Sequence, residues 1–160
     1  MNAWTIGSGT LALILAAIPA YLQIQDRTAE ATPTTYSITT PGDADEVDLC
    51  VPIIRGTGEG PHEGSVWLIV HGARNVGYYA VREVDPSSGK WSLSQIQVGS
   101  AGTTEGAHYE LVLWQFDRRL TDTIKHIPKD HRVFVSPPDG ASVVSQPTTV
   151  VRRADTRPCV

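Results

Sequence analysis

The chain has 160 residues, of which 41% are hydrophobic and 19% charged, and carries a formal net charge of −4. That length holds one compact domain once the apolar N-terminus is set aside, and the composition is that of a globular chain, which excludes disorder outside linkers. The acidic balance gives no electrostatic footprint for nucleic acid, and the clustered Arg152, Arg153 and Arg157 lie at the very end, where they read as a tail.

No charged side chain occurs from Ala3 to Ile24, and Leu11, Leu13, Ile14, Leu15 and Ile18 make this run strongly apolar. As a helix it reaches about 33 Å, enough to span a hydrocarbon core of about 30 Å. Trp4 and Tyr21, near its two ends, suit the headgroup region. Residues 1–25 are therefore expected to form a single transmembrane helix or signal anchor, with residues 3–24 against membrane lipid. A cleavable signal peptide is the alternative: no basic side chain precedes the run, yet Ala29-Glu30-Ala31 has the small-x-small form that signal peptidase accepts. Arg27 is the only basic side chain near either end and sets no strong orientation. The expected location is a single-pass membrane protein with its domain on the extracytoplasmic side, or secretion if the segment is cleaved. A lipoprotein anchor is excluded, because no cysteine lies near the end of the run.

Residues 26–45 are rich in Thr, Pro, Ala and Ser and lack apolar periodicity, so they are expected to be a linker. Within them Tyr36-Ser37-Ile38-Thr39 alternates β-formers with small polar residues, and an edge strand is the alternative there.

Residues 46–160 then show short β-like runs: Val47 to Ile54, Ser65 to His71, Tyr78 to Val84, Lys90 to Val98, Tyr109 to Phe116, Arg132 to Ser136 and Ser142 to Arg152. Their number and spacing predict an antiparallel sandwich. In the fifth run Tyr109, Leu111 and Leu113 share one face and Val112, Trp114 and Phe116 the other, which predicts a central strand covered on both sides. Asp85-Pro86-Ser87-Ser88-Gly89 and Pro137-Pro138-Asp139-Gly140 carry turn chemistry and are expected to close hairpins, and Gly56-Thr57-Gly58-Glu59-Gly60-Pro61 reads as a looser loop. Leu120, Ile124 and Ile127 recur at helical spacing after a cap at Asp117, and Pro128 stops them, so one short crossover helix interrupts the strands.

Two cysteines, Cys50 and Cys159, lie near the start and end of the domain. An even count permits one disulfide in an oxidising compartment, and two unrelated thiols are the alternative.

Val66-Trp67-Leu68-Ile69-Val70, Tyr78-Tyr79 and Lys90-Trp91-Ser92, followed by the Tyr109 to Phe116 run, resemble immunoglobulin-like accessory domains of membrane-linked bacterial proteins, notably actinobacterial ones. The resemblance covers roughly the last two-thirds of the chain. It has no catalytic signature, and the antibody-type cysteine, tryptophan, cysteine spacing is absent. It implies an immunoglobulin-like β-sandwich acting as a recognition or scaffolding module.

Candidate chemistry is sparse. Leu68-Ile69-Val70-His71-Gly72-Ala73 resembles the approach to a hydrolase oxyanion loop, but no Gly-x-Ser-x-Gly elbow accompanies it. His126 and His131, with His62 and His108 in loops, fit no compact metal-ligand motif. Gly56-x-Gly58-x-Gly60 lacks the lysine of a phosphate loop, and Cys50 has no neighbouring base to make it a nucleophile. Trp67, Trp91 and Trp114 with Tyr78 and Tyr79 are a candidate ligand platform for sugars, weighed against a place in the core. The expected function is a membrane-anchored, non-enzymatic protein-interaction or scaffolding module of a cell-envelope or signalling complex, with no catalytic residue, metal or cofactor. A binding module for cell-wall polysaccharide is the first alternative, and a small hydrolase or metal-dependent enzyme the second.

Overall fold

Strand-forming runs separated by turns account for nearly all of the folded part of the chain. A computed structural model describes residues 36–60, 63–86, 88–154 and 157–159. The expected membrane helix and the first part of the expected linker lie outside them. Among the described residues no helix is long and apolar enough to cross a membrane.

The elements in chain order are β1 (Tyr36–Thr40), β2 (Asp45–Val47), β3 (Cys50–Gly58), β4 (Ser65–Gly72), β5 (Tyr78–Val84), β6 (Lys90–Gln97), β7 (His108–Phe116), α1 (Arg118–His126), a single 3-10 turn (Lys129–His131), β8 (Val133–Phe134), β9 (Ala141–Val143) and β10 (Thr148–Arg152). One sheet runs β1-β3-β6 and the other β2-β10-β7-β4-β5-β8, with β9 also paired to β7. All pairings are antiparallel except that of β2 with β10. The described residues are thus mostly β, with antiparallel sheets and one α-helix among them.

Several boundaries differ from the expectation for local reasons. Residues 36–40, expected to fall in the linker, form the edge strand β1 on β3. The run from Val47 to Ile54 is two strands in different sheets, and the run from Ser142 to Arg152 is two segments that pair with successive halves of β7. Between those segments the Ser145 hydroxyl accepts from the Leu113 amide at 2.9 Å, standing in for a ladder bond.

The turns act locally as expected but do not close hairpins. Gly89 takes a positive φ and its amide donates to the Pro86 carbonyl. Yet β5 pairs with β4 and β8 while β6 pairs with β3, so this turn carries the chain from one sheet to the other. The loop after β3 does the same, and Pro137 to Gly140 joins β8 to β9 without pairing them. The hairpin lies elsewhere, between β4 and β5, where Asn75 donates to the Gly72 carbonyl.

Gly56 and Gly58 are not loop residues. They are buried positions of β3, and a Cβ on Gly56 would lie within 2.2 Å of the Trp91 ring while one on Gly58 would lie within 2.1 Å of Tyr36. Bare backbone provides the flat bed on which the two rings lie.

The sheets share one core, in which Val51, Ile54, Trp91 and Ile96 from the first meet Leu68, Val70, Leu111, Leu113 and Val150 from the second. The outer face of the second sheet carries another apolar cluster, Trp67, Ile69, Val112, Trp114 and Phe116, covered by Ile124 of α1 with Leu120 and Phe134. β7 therefore sends Tyr109, Leu111 and Leu113 to one core and Val112, Trp114 and Phe116 to the other.

α1 is held by its sequence and by its docking. The Asp117 carboxylate accepts from the Leu120 amide at 2.7 Å, and Lys125 and His126 complement the dipole in the last turn. Beneath it the Trp67 indole N–H donates to the Ser65 hydroxyl at 2.8 Å, and Ser65 and Thr121 share a hydrogen bond of 2.8 Å, all buried. Ser65→Ala strands the indole donor, while the Thr121 hydroxyl keeps its bond to the Phe116 carbonyl, and is expected to cost about 1–3 kcal/mol in urea denaturation.

Tyr36 is buried, and its hydroxyl has no hydrogen-bond partner. Burial, with repulsion from Glu59 added, raises its pKa above the ordinary value. The neutral phenol is thus the form that fits the fold, so this contribution is intact at neutral pH and is lost as pH rises through the folded-state pKa. Tyr36→Phe is expected to leave neutral-pH stability unchanged or raise it by about 1 kcal/mol. It should also flatten the alkaline end of the stability profile, measured by urea denaturation at a series of pH values.

Candidate functional site

The five aromatic residues of the candidate platform do not come together as a surface. Trp91 belongs to the core between the sheets, whereas Trp67 and Trp114 lie in the cluster under α1. All three are at most 4% exposed. The guanidinium of Arg132 covers the Trp67 ring at 5.1 Å, and Phe116 and Phe134 lean on Trp114. Tyr78 is half-buried between Trp114 and the His71 ring, which stacks on it with centroids 4.2 Å apart. Tyr79 alone is exposed, because successive residues of a strand point to opposite faces. These side chains therefore form no common ligand platform: burial of indole rings dominates in so small a double core.

The histidines are dispersed. His71 ends β4 with its Nδ1 against the Gly77 carbonyl at 3.1 Å, His126 sits against the Asp122 carbonyl on α1, and His131 lies 3.4 Å from Asp130 in the 3-10 turn. His108 opens β7 and is exposed, while His62 lies outside the described residues. Among the described residues no three metal-ligating side chains gather.

Cys50 and Cys159 are joined by a disulfide, with Cα atoms 4.9 Å apart and a sequence separation of 109. The bridge ties the tail that leaves β10 to the first residue of β3, and so links the two sheets covalently.

Two surface features remain that composition does not reveal. The first is the β8 edge. Four of the five large hydrophobic side chains exposed among the described residues, Val76, Tyr79, Val133 and Val135, lie on β8 or just after it, on its partner β5 or in the loop before β5. Tyr79 pairs with Val133 and Tyr78 with Phe134, and Val135 follows β8 directly while Val76 lies just before β5. β8 is the last strand of its sheet.

The second is a groove of about 530 Å³ where β5 and β6 diverge, lined by Val70, Val81 and Tyr109 and by the polar groups of Tyr79, Arg82, Gln95, Gln97, Ser100, Thr103, Lys129 and Asp130. Arg82 spans it to the Ser94 carbonyl at 3.3 Å, and the Tyr109 hydroxyl donates to Thr103 at 3.1 Å. Gln95 has a φ of 53° inside a strand. Its cause is the ladder: Pro52, with no N–H to give, stands opposite it between the pairs Val51–Ile96 and Ile53–Ser94. The inward alternation changes phase there, from Leu93 to Ile96 on β6 and from Ile54 to Val51 on β3. No signal in the sequence marks a glutamine for this conformation.

Comparison of the chain with protein-family models, with curated proteins and with solved structures gives no match in any of the three.

Proposed function

We propose that this chain is a membrane-anchored, non-enzymatic recognition module with an immunoglobulin-like sandwich, and that the β8 edge is where it takes a partner protein. Strand order supports the fold assignment. β1, β3 and β6 stand as strands A, B and E of that fold, and β10, β7, β4 and β5 as G, F, C and C′. The first strand is divided between the sheets, its second half β2 lying parallel to β10. The departure is residues 117–147, which carry α1, the 3-10 turn, β8 and β9 between F and G.

The observation that carries the function is the grouping of Val76, Tyr79, Val133 and Val135 along a strand edge. An edge strand offers unpaired backbone groups, and a row of apolar side chains beside it suits a partner that adds an extended segment, with main-chain bonds for affinity and side-chain contacts for specificity. The uncharged run from Ala3 to Ile24 supports a lipid anchor, and the disulfide supports an oxidising, extracytoplasmic side.

The test is in-membrane cross-linking of the full chain, native against a Val133→Lys, Val135→Lys double variant. Both side chains are exposed, so folding should change by less than about 1 kcal/mol. A discrete adduct formed by the native chain and lost in the variant is expected. Persistence of the adduct, or none with either chain, overturns the proposal.

A further inference from the structure

We infer that the groove between β5 and β6 is a binding site for a short saccharide, adjoining the β8 edge and sharing Tyr79 with it. Its volume of about 530 Å³ falls within the range of small-molecule sites, roughly 300–1,000 Å³. The lining has the two parts such a ligand needs. Tyr79 offers an exposed ring face, which matches the apolar C–H face of a pyranose, and Val81 extends the apolar wall. Around them stand the amides of Gln95 and Gln97, which both donate and accept, as each sugar hydroxyl does. Arg82 adds donors and Asp130 acceptors. A purely apolar ligand would find only Val70, Val81 and the Tyr79 and Tyr109 rings to lie on, among side chains that are mostly polar.

The backbone makes the stronger argument. At a φ of 53° an L-residue is strained by its own Cβ and glycine is not. The kink at Pro52 requires only that conformation. A glutamine held there, with its amide lining the groove, is a side chain kept at a cost to the fold, as strained residues at ligand sites are.

The experiment is saturation-transfer difference NMR on the detergent-solubilised full chain, titrated with N,N′-diacetylchitobiose and with cellobiose, against native protein and four variants. Saturable binding of at least one disaccharide to the native chain below about 10 mM is expected. Gln95→Gly should weaken it at least tenfold while its melting temperature stays level or rises, a combination that a merely structural glutamine does not produce. Tyr79→Ala and Gln97→Ala should each weaken binding severalfold. Val135→Lys, which tests the β8 edge, should bind as the native chain does, so failure of one proposal is told apart from failure of the other. Absence of saturable binding by both disaccharides, or binding that Gln95→Gly and Tyr79→Ala leave intact, overturns the inference.

Discussion

Removing the bridge with a Cys50→Ser, Cys159→Ser double variant is expected to lower stability by about 4–5 kcal/mol, as the chain-entropy model gives for a closed loop of about 100 residues. The loop here is 109 residues long by sequence separation and takes in nearly every strand, so the untethered chain regains freedom over almost the whole domain. With a denaturant slope near 2 kcal/mol/M, the urea midpoint should fall by roughly 2 M. The folded state itself should change little. Arg153 still donates its amide to the Val47 carbonyl at 2.9 Å and pairs with Glu46 at 3.2 Å, so the tail remains beside β2 up to that point. Trp67, Trp91 and Trp114 sit in cores that the bridge does not line, and near-UV circular dichroism in water should keep its native form. A loss under about 1 kcal/mol would show that the tail and strands restrict the unfolded chain without the bridge. In the native chain both thiols should resist alkylation until a reductant is added, which also tests the oxidising compartment proposed for the domain.

What could be read from the sequence was local, and what could not was choice of partner. The helix α1 was expected from Asp117, Leu120, Ile124 and Pro128, because cap, periodicity and stop lie within about three turns of one another. β5 and β7 came from the same kind of signal, and the alternation along β7 correctly divided its side chains between two faces. The turn at Pro86 to Gly89 has the geometry its residues dictate, but turn chemistry reverses a chain without naming the strand it will pair with. Here the reversal delivers β6 to β3, thirty-odd residues back in sequence, so reading it as a hairpin failed. Gly56 and Gly58 were misread for a related reason: their role is defined by Tyr36 and Trp91, which reach them only in the folded sheet. The same holds for the candidate site. Three indole rings in strands signal buried mass more than a binding face, and the groove depends on a left-handed glutamine that only the opposing Pro52 explains.

Trp114→Ala is expected to be the most damaging single substitution, at about 3–5 kcal/mol, or a fall of about 10–20 °C in melting temperature. Trp114 is 1% exposed and stands at the centre of the outer core, with Tyr78 at 5.1 Å, Phe134 at 6.2 Å and Phe116 at 6.4 Å between ring centroids. It also faces Trp67 across the β4–β7 ladder. The neighbours are themselves rings fixed to strands, and cannot collapse into the space as a flexible side chain would, so most of the cavity should persist. Its consequence reaches past stability. β8 is bonded to β5 over only two residue pairs, and Phe134 is its inward anchor, packed on Trp114 and Phe116. With the indole gone, β8 should open before the rest of the sheet does. The Ala80 amide, which donates to the Arg132 carbonyl at 2.9 Å, reports that opening through hydrogen exchange. Trp114→Phe keeps a ring against Phe134 and should lose less than half as much. If the Ala80 amide in Trp114→Ala exchanges no faster than the global unfolding rate, the outer core is one cooperative unit with the inner one, and the β8 edge is as rigid as the strands that support it.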